Sequence, residues 1–109
     1  MKEIASRKLW AECPTRGGFE VTLQLGTPYR ASAVDWACPV AVLGLHKSLA
    51  DQHGVDSWHA VILAQSLVQS LLQDFVDDGG RLFESHGGDS VDMSSLFHPG
   101  GQRGGPPDA

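Results

Sequence analysis

From Asp56 to Asp78 the chain alternates between apolar and polar residues with the period of an α-helix, and both ends of the segment carry stop signals. At about 100° per residue, Trp58, Ala60, Val61, Ala64, Leu67, Val68, Leu71, Leu72, Phe75 and Val76 gather in one half of the helical wheel. His59, Ser66, Ser70, Gln73, Asp74 and Asp77 occupy the other half. Asp56, or failing it Ser57, is placed to accept a hydrogen bond from the free N–H groups of the first turn. Gly79 or Gly80 can take the left-handed conformation that closes the last turn. The predicted helix has about 22 residues and a length of about 33 Å. Its apolar arc is wider than a coiled-coil seam and suits a helix laid across a sheet. Ile62 and Leu63 interrupt the polar side near the N-terminal end and call for a second covered surface there.

Before this helix the period changes to two. Phe19-Glu-Val-Thr-Leu-Gln-Leu25 alternates without error, so Phe19, Val21, Leu23 and Leu25 face a core while Glu20, Thr22 and Gln24 face water. Lys2 to Cys13 alternates less cleanly, and Pro14-Thr-Arg-Gly-Gly18 supplies the turn that pairs the two segments as a hairpin. Gly26-Thr-Pro28 ends the second strand. A third strand is predicted over Val34–Leu43, with Val34, Trp36, Cys38, Val40 and Val42 on one side. Pro39 has no N–H to give a neighbour, so it marks an edge position or a bulge. Gly44–Gly54 reads as a connection holding Leu45 and Leu49, with a helical turn around His46–Asp51. After the helix, Arg81-Leu-Phe-Glu-Ser85 reads as a short strand returning to the sheet. The expected fold is α+β: a three- to four-stranded, mainly antiparallel sheet in the order β-β-β-α-β, with one long helix packed on one face.

Composition adds a boundary near residue 85. Residues 1–85 are expected to form a single domain, whereas 86–109 are rich in Gly and Pro and expected to be largely disordered. Within that tail, Val91, Met93, Leu96 and Phe97 form a short apolar cluster able to dock on the domain or on a partner. A net charge of -5 and a pI near 5.3 argue against a surface built to neutralise phosphates, so nucleic acid is not an expected partner. No run reaches the length needed to span a bilayer, the first ten residues lack a signal-peptide core, and a cytoplasmic location is expected. Cys13 and Cys38 belong to no Cys-x-x-Cys pair and read as reduced, half-buried thiols.

Candidate chemistry is sparse. His46, His53, His59, His86 and His98 match no compact ligand spacing, and Ile62 and Leu63 stand where a helical partner for His59 would be. No metal or cofactor is expected. No Gly-x-Ser-x-Gly elbow, phosphate loop or dinucleotide fingerprint is present. A thiol needs a neighbouring base to become a nucleophile at neutral pH, so the one enzymatic or ligand-binding site worth naming joins Cys38 to the loop residues His53 and Asp56. Trp58, in the first helical turn, is expected to pack on the sheet. Its other reading is a partner anchor, and exposure separates the two.

The ordered set Gly26-x-Pro28, Trp36-x-Cys38-Pro39, Gly44-Leu45, Gly54-x-Asp56-Ser57 with Ala60, and Gly79-Gly80 resembles a family of small bacterial proteins classed only as a domain of unknown function. The resemblance covers about residues 2–85 and implies an α+β fold and a bacterial origin. The family pattern often has Gln after the Ser, where this chain has Trp58. No activity follows from it. The leading expectation is therefore a non-enzymatic protein-interaction module, self-associating as a homodimer or binding another protein, with Trp36, Pro39 and Trp58 as interface candidates. The alternatives are the Cys38, His53, Asp56 site and an immunity or inhibitor protein that binds a basic partner through its acidic surface.

Overall fold

The turn at Pro14–Arg16 folds strand β1 (Glu3–Cys13) against β2 (Gly17–Gly26) as an antiparallel hairpin, with Leu9 opposite Val21 and Ala11 opposite Phe19. The computed structural model describes residues 1–97. His98 and the rest of the expected tail lie outside the described residues. Among the described residues seven strands and two helices follow one another: β1, β2, β3 (Tyr29–Ser32), β4 (Asp35–Cys38), β5 (Val40–Leu43), β6 (Gln52–Gly54), α1 (Ser57–Asp77), β7 (Arg81–Phe83) and α2 (Met93–Phe97). The α+β class and antiparallel pairing are as expected from the sequence.

The strands are shared between two sheets, one of four strands in the order β5-β2-β1-β7 and one of three in the order β3-β4-β6. The expected third strand, Val34–Leu43, supplies one strand to each sheet, and the break falls at Pro39. Without an N–H, Pro39 has no donor to offer to either ladder. Its carbonyl instead accepts from the Gly26 N–H at 2.8 Å, tying the crossing point to the end of β2. The alternation survives the crossing, because Cys38, Val40 and Val42 are all buried. Val34 lies in the β3–β4 turn and is exposed, not on the buried side expected for it. The expected helical turn at His46–Asp51 does not form; the backbone turns at Gly44 and Leu45, where the Leu45 and His46 N–H groups both donate to Val42 O, and the connection ends as β6.

Leu9, Ala11, Val21, Leu23, Val40, Val42 and Leu82 lie in register across the larger sheet and share one core with a row on α1: Ala60, Ala64, Val68 and Leu72. Spacing of four residues keeps that row on one side of the helix. Its side chains grow along the helix. At the N-terminal end Ala60 sits against β6 so closely that a Cβ at Gly54 would stand 2.6 Å from the Ala60 backbone nitrogen. At the C-terminal end Leu72 is fully buried, and Phe75 meets Phe19 of β2 edge to face, with ring centroids 6.0 Å apart. Asp56 caps the helix by accepting from the His59 N–H at 2.8 Å, and Gly79, at φ +100°, turns the chain out of it.

Packing continues past residue 85. The Phe83–Ser90 bridge and the Val91 N–H bond to Leu82 O, 2.9 Å, bring the chain back along β7. Val91, Met93, Leu96 and Phe97 then pack against the core, with α2 against α1, so the apolar cluster docks on the chain's own body.

Candidate functional site

Of the three aromatic or proline positions expected at an interface, only Trp58 is open to solvent. Trp36 packs against the core and Pro39 is half-buried at the crossing between sheets. Trp58 is 78% exposed, so it does not pack on the sheet as the wheel suggests. The reason is angular. Trp58 and Ile62 each lie two residues from Ala60, about 200° around the helix, and Ala60 is the residue that faces β6. Ile62, one turn after Trp58, is 43% exposed, whereas Leu63, the other apolar residue on that side, is half-buried.

Beside this pair runs a groove of about 370 Å³ formed by Pro28, Ser57, Trp58, Val61, Ile62 and Gln65. Ile62 and Gln65 are also walls of a second, larger cleft of about 490 Å³ between the layers. Its apolar surfaces come from Leu23 and Leu25 of β2, Val68 of α1, and Leu96 and Phe97 of α2. Its polar rim is Ser6, Arg7, Gln24, Gln65, Ser66, Gln69 and Ser95. Among the described residues Arg7 is the single charged one lining either cavity, and its guanidinium donates to Glu84 at 2.7 Å. The walls of the larger cleft thus come from β1, β2, α1 and α2. Its size lies in the range of small-molecule and peptide sites.

Along the same corner β1 has a free edge. Strand β7 pairs with it only from Trp10 to Glu12, and among the described residues no strand pairs with that edge from Leu9 back to Glu3. A bulge at Ile4 interrupts the β1–β2 ladder, because Glu3 is opposite Gly26 while Ala5 is opposite Leu25.

The residues of the alternative site do not come together. Cys38 is opposite Gln52 and turns into the core, where its thiol donates to Gly26 O at 3.5 Å; burial pushes that thiol above its ordinary pKa, with the Asp51 charge adding to the effect. His53 is opposite Ala37, so it points to the other side of the smaller sheet. There its Nδ1 meets Asp35 at 2.5 Å, and the Tyr29 hydroxyl donates to Asp51 at 2.5 Å, a bond that raises the phenol above its usual pKa. These four polar side chains share the face of the fully buried Ala37. Asp56 is engaged as the helix cap. Among the described residues no three His, Cys, Asp or Glu side chains are grouped to hold a metal ion. The pKa of the other thiol, Cys13, is lowered by the Thr15 hydroxyl beside it in the hairpin turn.

Sequence reasoning found Trp58 and marked Ile62 as an anomaly on the polar side of the wheel. It missed the cleft, whose walls come from four elements far apart in the chain.

A family model described as a domain of unknown function, DUF6968, matches residues 5–92. No curated protein and no solved structure matches the chain.

Proposed function

The chain belongs to the DUF6968 family of domains of unknown function, and from that premise we propose that it is a non-catalytic protein-interaction module of a bacterial cytoplasm, presenting Trp58 and Ile62 to a partner protein. The observation that carries this reading is the exposure of a tryptophan at the first turn of an otherwise well-seated helix, with an exposed isoleucine one turn later and an uncharged groove beside them. A buried tryptophan contributes disproportionately to interfaces, because a large rigid surface is desolvated with little loss of conformational freedom. Both cysteines are unpaired, which suits a reducing compartment. No helix among the described residues is long and apolar enough to cross a membrane.

A photo-crosslinking side chain placed at position 62 in living cells tests the proposal, with the same group at the exposed Ser70 as control. A discrete adduct from position 62, absent from position 70 and lost on Trp58→Ala, is the expected result. Equal labelling from both positions, or none from either, would rule the reading out.

A further inference from the structure

We propose that the partner offers an extended segment that adds as a strand to the free edge of β1 at Ala5–Lys8, lays alternate side chains into the 490 Å³ cleft, and brings a carboxylate to Arg7. This deepens the interaction reading and rests on it.

An exposed strand edge holds a row of unsatisfied N–H and C=O groups, and an incoming extended chain satisfies them through backbone bonds whatever its sequence. Beyond the Ile4 bulge, Ala5–Lys8 is regularly paired with β2 on one side and, among the described residues, free on the other, a length of about 14 Å at about 3.4 Å per residue. The same residues, Ala5 to Arg7, form one wall of the cleft. A strand added here therefore projects every second side chain toward Leu96, Phe97 and Val68, while the amides of Gln65 and Gln69 stand ready at the rim. The small side chain of Ala5 leaves that entry open.

Charge selects the partner's chemistry. The chain carries a net charge of -5, yet among the described residues no carboxylate lines either cavity, and the one charge that does is cationic. The Arg7 side chain is 44% exposed and its partner Glu84 53%, so their pairing is a weak surface contact that an incoming carboxylate can replace. A second copy of β1 is the poorer occupant. The Ile4 bulge spoils the register at one end, and Glu3, Arg7 and Lys8 place charges along the edge, both devices that blunt edge-to-edge association.

The test uses the full chain as bait for a phage-displayed library of random dodecapeptides, counter-selected on a Ser66→Trp chain whose indole fills the cleft and whose melting temperature confirms that it folds. The best peptide is then synthesised and titrated. Expected are alternating apolar residues with a carboxylate, and loss of binding on proline substitution at every second position of the peptide. Arg7→Ala should weaken binding about tenfold, as for a lost charge-assisted bond. Exchange of the alternate amides of Ala5–Lys8 that point away from β2 should slow when the peptide binds. No enrichment over the counter-selected chain, or a peptide indifferent to proline, overturns the proposal. Edge amides already protected in the free chain also overturn it, in favour of a second copy if protection rises with concentration and of residues 98–109 if it does not. Peptide binding that falls with Trp58→Ala but ignores Arg7→Ala leaves the interaction reading standing without the strand. Strand binding together with no adduct from position 62 removes the Trp58 reading alone.

Discussion

The two halves of α1 have the same kind of apolar arc and different surroundings. The C-terminal half lies among β2, β7 and α2, so that Leu67, Leu71, Phe75 and Val76 on the margins of the arc find partners as Leu72 does at its centre. The N-terminal half starts on the three-stranded sheet, with the Ala60 backbone close against Gly54 of β6. Only Ala60 and Ala64 are fully buried there, and the margin holding Trp58 and Ile62 is left in water. An amphipathic pattern thus states which side of a helix is apolar, whereas the width of the covering layer decides how much of that side is buried. The half with more apolar surface than its own fold covers is the half available to a partner.

If this contrast is right, the largest effect on stability comes from the C-terminal half. Leu72→Ala removes a fully buried side chain held between the layers, and a loss of about 2–5 kcal/mol is expected in denaturant unfolding. A loss below about 1 kcal/mol, the size of a surface change, would mean that the centre of the core lies elsewhere.

The N-terminal half answers to the opposite substitution. Its tightness depends on the absence of a side chain at Gly54, since a Cβ there would stand 2.6 Å from Ala60 N and 2.9 Å from the His59 carbonyl carbon. Both are backbone atoms in the capped first turn and cannot rotate away. Gly54→Ala is expected to lift the helix off β6 and lower stability by about 1–3 kcal/mol, the usual range for overpacking. A neutral result would show that the helix start floats on the smaller sheet, and Trp58 would then be exposed through looseness and not through geometry.

How much of this was legible in the sequence follows from how local each signal is. The caps at Asp56 and Gly79, the clean alternation of Phe19–Leu25 and the anomaly at Ile62 are each contained in a few neighbouring residues, and they survive in the structure. Pro39 was legible as a disturbance but not as a crossing between sheets, because its lost N–H says that a ladder ends and not where the next begins. Strands β3 and β6, of four and three residues, are too short for a period to show, and their pairing with β4 is set by tertiary packing. Trp58 was misplaced because the wheel averages the whole helix into one face. The Cys38, His53, Asp56 grouping was plausible by proximity in the chain, yet adjacent strand positions point to opposite sides, and that separates the thiol from the imidazole.

The smallest stability effect is the one that bears most on function. Trp58→Ala and Ile62→Ala shorten side chains that lie outside the buried core, so each is expected to change unfolding free energy by no more than about 0.5 kcal/mol. Helix propensity even favours alanine over both residues in this helix. Against that flat background, a partner anchored by the tryptophan should lose about 2 kcal/mol or more of binding energy on the same substitution, some thirtyfold in affinity. Measured on one pair of variants, the two numbers separate a contact residue from a structural one. A drop in stability comparable to that of Gly54→Ala would place Trp58 in the fold itself, and the contrast between the two halves of α1 would disappear.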